Sequence, residues 1–269
     1  MELVLRKGAF DGETHIVTGA AQGIGNRVAA VLAAHGARVA LVDLDRGKLE
    51  EARAEMKSYA AVEPLVVPAN VAKEDDVRAA VAAVMEASGQ INGLVNVAGI
   101  TRDARIVKKD FAEFQIVLGV HLNGTFLFMR EVAFQDWHPR FKANGNKPLR
   151  DGQNRFVVNF SSVSARNGNI GQIDYTAAKG AIESMTKTTA REFAAYGARV
   201  NAIAPGPVNT PMLAGVPAEG IEAFARATLI GRVCEPVEMA RTVAAMADPK
   251  LFAYVTGIVL QANGGLRLE

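Results

Sequence analysis

Short apolar runs alternate with longer alanine-rich, amphipathic segments along almost the whole chain. The runs THIVTG, ARVALVD, PLVVPAN and INGLVNVAG are nearly continuously apolar, as are strands that are buried on both faces of a sheet. The segments between them, such as GIGNRVAAVLAAHG and KEDDVRAAVAAVMEASG, have helical periodicity. Regular alternation of strands and helices favours parallel strands, because each helix returns the chain to the same end of the sheet.

Three further apolar runs complete the pattern in the second half of the chain: RFVVNFSS, ARVNAIAP and TGIVLQANGG. Together the runs predict an α/β fold, a doubly wound seven-stranded parallel sheet with helices on both faces. No linker, composition break or internal repeat divides the 269 residues. We therefore expect a single domain over residues 1–269.

Two segments interrupt the alternation. Residues 136–154, DWHPRFKANGNKPLRDGQN, are polar and lack apolar periodicity, which predicts an inserted surface loop. Residues 207–230 begin with prolines and turn residues and end in a short helical pattern. A mobile lid over a substrate site and an ordinary long crossover both fit this second segment.

Composition argues against several classes of function. The net charge of +2 gives no basic surface of the kind that binds nucleic acid. One cysteine, Cys234, excludes an internal disulfide and favours a reducing, cytoplasmic compartment, and the four histidines show no metal-ligand spacing, so no metal is expected. The amino terminus lacks the apolar stretch of a signal peptide. No membrane segment is expected, because no run approaches about 18 apolar residues.

A glycine-rich turn, VTGAAQGIG, lies between the first strand and the first helix. Its glycines, Gly19, Gly23 and Gly25, let the backbone turn tightly and approach a pyrophosphate, which would lie at the positive end of the helix. The spacing differs from the G-x-G-x-x-G of other dinucleotide folds. A tight turn without a ligand is the alternative, but the strand–turn–helix context favours a dinucleotide site.

Asp43 ends the second strand, 24 residues after Gly19, where an acid can accept hydrogen bonds from an adenosine ribose. Its carboxylate would also repel a 2′-phosphate, since one charge pair near 4 Å is worth at most about 4 kcal/mol at an effective dielectric of about 20. NAD(H) is therefore the expected cofactor and NADP(H) is disfavoured. Alternatively, Asp43 or Asp45 merely caps the next helix.

Tyr175 and Lys179 are four residues apart in the helical pattern IDYTAAKGAIESM, so they share one helix face. A solvated surface pair would explain these two residues taken alone. Together with TGAAQGIG, NVAG, Ser162 and PGPVNT, however, they occur in the order and spacing of the short-chain dehydrogenase/reductase family. The resemblance covers essentially the whole chain. It implies a single Rossmann-like domain, an NAD(P)-dependent enzyme and a homotetramer.

The resemblance assigns a role to each member of the catalytic set. Tyr175 would pass a proton to or from the substrate oxygen while a hydride moves to or from the nicotinamide. Moving the pKa of a phenol from near 10 to about 7 takes about 4 kcal/mol. The ammonium of Lys179 and the oxidised nicotinamide would supply it by favouring phenolate, and Lys179 would also bind the nicotinamide ribose. Ser162 would hydrogen-bond the substrate oxygen, with a plain strand-end hydroxyl as the alternative.

The same resemblance places further residues around the cofactor. Asn70 stands where the family usually has aspartate, and it could accept a hydrogen bond from the adenine amine without a charge. Gln22 stands where NADP-preferring members often have a basic residue, in agreement with Asp43. The full set expected at the cofactor is Gly19, Gln22, Gly23, Ile24, Gly25, Asp43, Leu44, Asn70, Val71, Tyr175 and Lys179, with Asn96, Ala98 and Gly99 on the adenosine ribose side and Pro205, Gly206, Val208 and Thr210 along the nicotinamide carboxamide.

The sequence departs from the family at its fourth catalytic residue, an asparagine that holds a water linking the lysine to solvent. In VHLNGTF this position is His121. An imidazole could hold the same water, and on this interpretation His121 belongs to the catalytic residues. The alternative is that His121 is a packing residue and the relay is weakened.

The segment GITRD and the overall match resemble the 3-oxoacyl-thioester reductases. The carrier-protein reductases, however, typically have an arginine where this chain has Tyr196, and the expected NAD preference suits an oxidative acyl-CoA or alcohol dehydrogenase. We therefore expect an NAD(H)-dependent oxidoreductase that interconverts a secondary alcohol and a ketone, with a 3-hydroxyacyl/3-oxoacyl thioester, such as an acyl-CoA, as substrate. The basic residues of 136–154 could meet CoA phosphates or could simply be solvated.

Two other functions are considered. One is a hydroxysteroid, sugar or small secondary-alcohol dehydrogenase of the same family, whose specificity would depend on the lid and loop. The other is a non-catalytic NAD-binding regulatory protein, and the intact set of Ser162, Tyr175 and Lys179 argues against it.

Overall fold

A parallel sheet of seven strands in the order β3-β2-β1-β4-β5-β6-β7 forms the centre of the computed structural model, which describes residues 6–268. The order reverses between β1 and β4, as in a doubly wound sheet. The predicted α/β, Rossmann-like, single-domain fold is therefore confirmed. The strands are β1 (Thr14–Thr18), β2 (Arg38–Asp43), β3 (Leu65–Pro68), β4 (Gly93–Asn96), β5 (Arg155–Phe160), β6 (Ala198–Pro205) and β7 (Val259–Ala262).

Helices cover both faces of this sheet. Short 3₁₀ turns at Ile106–Lys108, Ala194–Tyr196 and Pro211–Leu213 and π-helical segments at Gly119–Asn123 and Ala133–Trp137 accompany them. The α-helices are α1 (Gly23–Ala34), α2 (Arg46–Met56), α3 (Glu74–Ser88), α4 (Phe111–Leu118), α5 (Gly124–Val132), α6 (His138–Ala143), α7 (Ser164–Asn167), α8 (Ile173–Phe193), α9 (Ala218–Ala227) and α10 (Pro236–Ala247).

The buried apolar side chains form two clusters, one on each face of the sheet. Along β1, Val17 belongs to the cluster under α1, α2 and α10, whereas Ile16 belongs to the cluster under α3, α5 and α8. Successive strand residues thus point to opposite faces, and both faces are buried. This explains why the strands are continuously apolar in the sequence.

The segment 136–154 is not a surface loop throughout, as the sequence predicted. The helix that begins at α4 continues to Ala143, and both Asp136 and Trp137 are buried in it. Asp136 Oδ2 accepts a hydrogen bond from the Ile91 backbone N–H at 2.7 Å, and Trp137 Nε1 donates to the Ile91 carbonyl at 2.7 Å. Their polar atoms pair with the backbone before β4, so these polar residues lie inside the protein.

The remaining part of this segment, 144–154, lies at the amino ends of the strands. It leads into β5, and Asn154 Nδ2 donates to Glu13 Oε2, just before β1, at 3.0 Å. Ligands of doubly wound sheets bind at the opposite edge, beyond the carboxyl ends of the strands. The basic residues of this loop therefore cannot meet the phosphates of a CoA bound at that edge of the same subunit, and the solvated-loop interpretation is favoured.

One helix is longer and more apolar than the sequence analysis allowed. By length and composition alone, Phe111–Ala143 could cross a membrane, although no such segment was expected. Phe128, Val132 and Trp137 on this helix are buried in the core cluster that contains β4 and β5 residues. In this fold it is thus a core helix that packs against the sheet.

We predict that replacing Asp136 with alanine lowers the free energy of unfolding by about 1–3 kcal/mol, because the buried Ile91 N–H loses its acceptor. Urea unfolding of the purified protein measures this change. Lys147→Ala, on the exposed part of 144–154, is the matched control, with an expected change within about 0.5 kcal/mol. Equal, small effects of both substitutions would contradict the assigned role of Asp136.

Candidate active site

The carboxyl ends of β1, β4, β5 and β6 meet at one edge of the sheet, at the point where the strand order reverses. Gly19 follows β1, Gly99 follows β4, Ser162 follows β5 and Gly206 follows β6. The topology therefore gathers residues that lie far apart in the sequence. Open α/β sheets bind their ligands in the crevice at this point.

The glycine turn is shaped by backbone contacts that a side chain would block. Gly19 has a φ of +69°, and a Cβ on it would lie 2.9 Å from Ala98 Cα. A Cβ on Gly25 would overlap the Gly19 carbonyl oxygen. Helix α1 then begins without a side-chain cap from Gln22 and without an acid in its first turn. Its first N–H groups are thus left for another acceptor, which fits the pyrophosphate of a dinucleotide.

Asp43 faces this turn. Its Oδ2 accepts a hydrogen bond from Ala21 N–H at 3.2 Å, and its Oδ1 accepts one from Leu44 N–H at 2.7 Å. The cap of α2 is Asp45, which accepts from Lys48 N–H at 3.1 Å. The structure thus separates the two acids that the sequence left as alternatives, and the carboxylate of Asp43 lies where a ribose beside the turn could donate to it.

Two predicted cofactor contacts have local structural roles. Asn70 Oδ1 accepts from Ala72 N–H at 2.9 Å, so it already stabilises the turn after β3. Asn96 is 5% exposed, and its Nδ2 donates to Asn159 Oδ1 at 2.9 Å. The Asn96 amide thus points into the protein and joins β4 to β5, and the expectation that Asn96 lines the adenosine ribose side stays a prediction.

The segment after β6 approaches the glycine turn from the other side. Gly206 lies against the Asn263 backbone, where a Cβ would be 2.8 Å from its carbonyl oxygen. Thr210 lies closest to Gly23, where a Cβ would be 3.6 Å from its side chain. Thr210, after β6, is thus brought next to Gly23 of the glycine turn.

The chain after this segment forms an exposed flap, residues 209–230. Helix α9 has no buried side chain, and Phe224 on it is 38% exposed. A cleft of about 650 Å³ lies at the base of the flap, between Thr210, Leu213 and Ile221. The position of the flap agrees with a lid, and its mobility stays a prediction.

Ser162, Tyr175 and Lys179 come together from two elements at this edge. The Ser162 hydroxyl lies near enough to the Tyr175 hydroxyl to lower the Tyr175 pKa, and Ser162 Oγ accepts from Ser164 N–H at 3.2 Å. Lys179 is 4% exposed; its Nζ donates to the Phe160 carbonyl at 2.6 Å and lies 5.5 Å from the centroid of the Tyr175 ring. The phenol thus has a hydroxyl partner and a cation close by.

The pKa values of Tyr175 and Lys179 differ from the expectation that Lys179 lowers the pKa of Tyr175. Burial raises the pKa of Tyr175, the nearby hydroxyl of Ser162 lowers that pKa, and the carboxylate of Asp103 raises it. Burial also lowers the pKa of Lys179 to about 7. The expected lowering of the Tyr175 pKa by Lys179 is therefore not found among these side chains alone, because desolvation of the phenol dominates.

His121 lies in the π-helical segment Gly119–Asn123, beside Tyr175. Short π-helical segments of this kind are frequent at functional sites. The two rings are perpendicular, with centroids 5.1 Å apart. His121 Nε2 lies 2.8 Å from the carbonyl oxygen of Ile100 and 3.0 Å from its nitrogen. Burial, and then the charge of Lys179, lower the pKa of His121 to about 3. The ring is therefore neutral at neutral pH.

Sequence reasoning missed an ion pair at the edge of this site. Lys109 Nζ lies 2.9 Å from Asp174 Oδ2, and the two side chains are 5% and 1% exposed. The residues are 65 positions apart, so no local pattern could join them. The one signal was an acid placed directly before Tyr175. Among residues 6–268, no group of three histidine, cysteine, aspartate or glutamate side chains could hold a metal ion.

The chain is similar to known proteins over nearly its whole length. Residues 19–267 match the family model described as enoyl-(acyl carrier protein) reductase. The 3-oxoacyl-[acyl-carrier-protein] reductase of Thermotoga maritima is 34% identical over 258 residues, 96% of this chain and 98% of that protein. The short-chain reductase protein NovJ of Streptomyces niveus is 38% identical over 257 residues, 93% of this chain and 92% of that protein.

Two solved structures from Brucella melitensis are similar to this fold. A short-chain dehydrogenase/reductase, named glucose/ribitol dehydrogenase, has a TM-score of 0.87 and 29% identity, with 98% of this chain and 100% of that chain covered. A 3-ketoacyl-(acyl-carrier-protein) reductase complexed with NADH has a TM-score of 0.83 and 31% identity, with 96% and 100% covered. The chain therefore belongs to the short-chain dehydrogenase/reductase family of oxidoreductases.

Proposed function

We propose that this protein is an NAD(H)-dependent oxidoreductase that interconverts a secondary alcohol and a ketone, with a 3-hydroxyacyl/3-oxoacyl thioester as its substrate. The observation that carries the proposal is the proximity of Ser162, Tyr175 and Lys179 at the same edge of the sheet as the glycine turn. A hydroxyl acid/base, a second hydroxyl donor and a cation at one point are what a carbonyl reduction requires.

In the proposed mechanism, the substrate oxygen lies between the hydroxyls of Ser162 and Tyr175. Ser162 donates a hydrogen bond to this oxygen, and Tyr175 gives it a proton in reduction or takes one in oxidation. A bound nicotinamide would supply the hydride in reduction and accept it in oxidation. Lys179 would hold the nicotinamide ribose, and its cation would favour the phenolate form of Tyr175.

The preference for NAD(H) rests on Asp43. Its carboxylate at the end of β2 can accept hydrogen bonds from a ribose diol, and it repels a 2′-phosphate. Gln22, the residue before α1, offers no positive charge to offset that repulsion. One similar structure is that of a reductase complexed with NADH, which agrees with this part of the proposal.

The thioester substrate is supported by the relatives named as 3-oxoacyl and 3-ketoacyl reductases. An acyl-CoA is favoured over a carrier-protein thioester, because Tyr196 occupies the place of a docking arginine and packs against Phe141 and Phe193. A hydroxysteroid, sugar or small-alcohol substrate would keep the same mechanism. A non-catalytic NAD-binding protein would not need the buried Lys179 beside Tyr175.

The proposal includes a cytoplasmic homotetramer. Phe111, Ile116 and Phe134 on the long helix are 70%, 52% and 67% exposed, respectively. Large exposed apolar side chains on one packed helix are typical of an interface between subunits. No nucleic-acid or membrane partner forms part of the proposed function.

We expect Tyr175→Phe to reduce kcat by about 10²–10⁴-fold, the usual contribution of a general acid/base. The affinity for NADH, measured by fluorescence titration, should stay within about threefold, because the glycine turn is untouched. Tyr254→Phe, at a fully exposed tyrosine, is the matched control with unchanged kcat. A Tyr175→Phe variant of wild-type activity would exclude Tyr175 as the acid/base.

Asp43→Asn should weaken NADH binding and strengthen NADPH binding by about tenfold each, since a charge repulsion of this kind is worth a fraction of about 4 kcal/mol. Dissociation constants for both cofactors measure the change. Asp45→Asn is the control: it removes a neighbouring negative charge while its amide oxygen can still cap α2, so the cofactor ratio should not change. An unchanged ratio for Asp43→Asn would remove the basis of the NAD preference.

His121→Asn should keep activity within about threefold. Nε2 of the neutral imidazole either donates to the Ile100 carbonyl or accepts from the Ile100 N–H, and an asparagine amide has both a donor and an acceptor for the same backbone groups. His121→Leu, which can make neither bond, should lose at least about tenfold in kcat. A hundredfold loss with asparagine would show that the imidazole has a role of its own.

A further inference from the structure

The loop after β4, residues 100–110, is fastened to the segment that leads into Tyr175, residues 171–175. Ala104 N–H donates to the Gly171 carbonyl at 2.9 Å. Gln172 Nε2 donates to both carboxylate oxygens of Asp103 at 3.1 Å. The third contact is the ion pair between Lys109 and Asp174 at 2.9 Å.

This ion pair is the buried member of the three. Asp103 and Gln172 form an exposed contact, whereas the side chains of Lys109 and Asp174 are 5% and 1% exposed. Water weakens an exposed polar contact, while a buried charge that loses its partner is strongly destabilising. The ion pair therefore determines the separation of the two segments.

The carboxylate of Asp174 connects the pair directly to the backbone of Tyr175. Its Oδ2 accepts from Lys109, and its Oδ1 accepts from the Tyr175 N–H at 2.8 Å. On the other side, Lys109 Nζ also donates to the Arg102 carbonyl. One ammonium and one carboxylate thus join both ends of the loop to the first turn of α8.

The beginning of the same loop also reaches the phenol. Ile100 holds the His121 ring through its backbone, and this ring packs edge-on against Tyr175. A shift of residues 100–110 would therefore move the His121 ring that packs against Tyr175, and it would also move the first turn of α8. Ser162, in contrast, is held by the turn after β5 and would not follow.

We propose that the Lys109–Asp174 ion pair positions Tyr175, fixing the first turn of α8 so that the phenol meets Ser162 at the reacting oxygen. This inference rests on the proposed acid/base function of Tyr175. Neither Lys109 nor Asp174 touches substrate or cofactor; both act through the tyrosine. Catalytic groups must be held within about 0.5 Å, and a displacement of about 1 Å can cost about a hundredfold in rate.

The experiment compares Lys109→Met, Asp174→Asn and the double variant. Methionine keeps much of the length of the lysine stem, and asparagine keeps an oxygen for the Tyr175 N–H. Each single variant leaves one charge buried without its partner, whereas the double variant leaves none. We expect kcat to fall by about 10–100-fold in each single variant and to recover to within about fivefold in the double variant, with NADH affinity unchanged throughout.

Asp151→Asn is the matched control, since it breaks the ion pair with the buried Arg155 at the opposite edge of the sheet. It should lower the melting temperature and leave kcat unchanged, which separates lost stability from lost positioning. Should Lys109→Met fail to fold, Lys109→Arg keeps the charge but moves it, and a severalfold lower kcat is then expected.

Single variants with wild-type kcat, or a double variant no better than the worse single one, would overturn the inference. If the wild-type protein turns over no carbonyl substrate, the proposed function fails. Amide hydrogen exchange then tests the positioning role of the Lys109–Asp174 ion pair without activity. Amides in 171–178 should exchange faster in both single variants and return to the wild-type rate in the double variant. Unchanged exchange there would overturn the positioning role independently of activity.

Discussion

The close approach of the β1 and β4 backbones is the constraint on which the site depends. Gly19 lies so near Ala98 that a Cβ would be 2.9 Å from its Cα, and the turns after β1 and β4 can lie this close only because Gly19 has no side chain. Ser162 after β5 and Thr210 after β6 lie at the same edge of the sheet. The topology thus brings the proposed site residues together, and glycine allows the close approach of the two turns.

The site also concentrates unfavourable burial. Lys179 is buried at a cost that lowers its pKa to about 7, and burial lowers the pKa of His121 to about 3 and raises the pKa of Tyr175. Two apolar clusters on the faces of the sheet offset this cost. The proposed catalytic residues thus lie where the burial of polar groups costs stability, as the trade-off between stability and activity leads one to expect.

Much of this could be predicted from the sequence. Continuously apolar strands and the turn after β1 have local signatures, and the spacing of Tyr175 and Lys179 follows from one helical turn. The buried polar side chains of Asp136, Lys109 and Asp174 have no local sequence pattern that predicts their burial. Asp136 was assigned to a loop because its partner, the Ile91 backbone, lies across the fold, and Lys109 and Asp174 are joined only by tertiary structure. The burial that raises the pKa of Tyr175 cannot be predicted from the spacing of Tyr175 and Lys179.

The most direct test is the oxidation of NADH and of NADPH by the purified wild-type protein, with acetoacetyl-CoA beside a panel of small ketones, steroid ketones and an enoyl thioester. We predict oxidation of NADH by acetoacetyl-CoA, faster than that of NADPH. If the protein binds NADH and yet oxidises it with none of the ketones, the result would contradict the assignment of Ser162, Tyr175 and Lys179 to carbonyl chemistry. Turnover of the enoyl thioester alone would reassign the reaction.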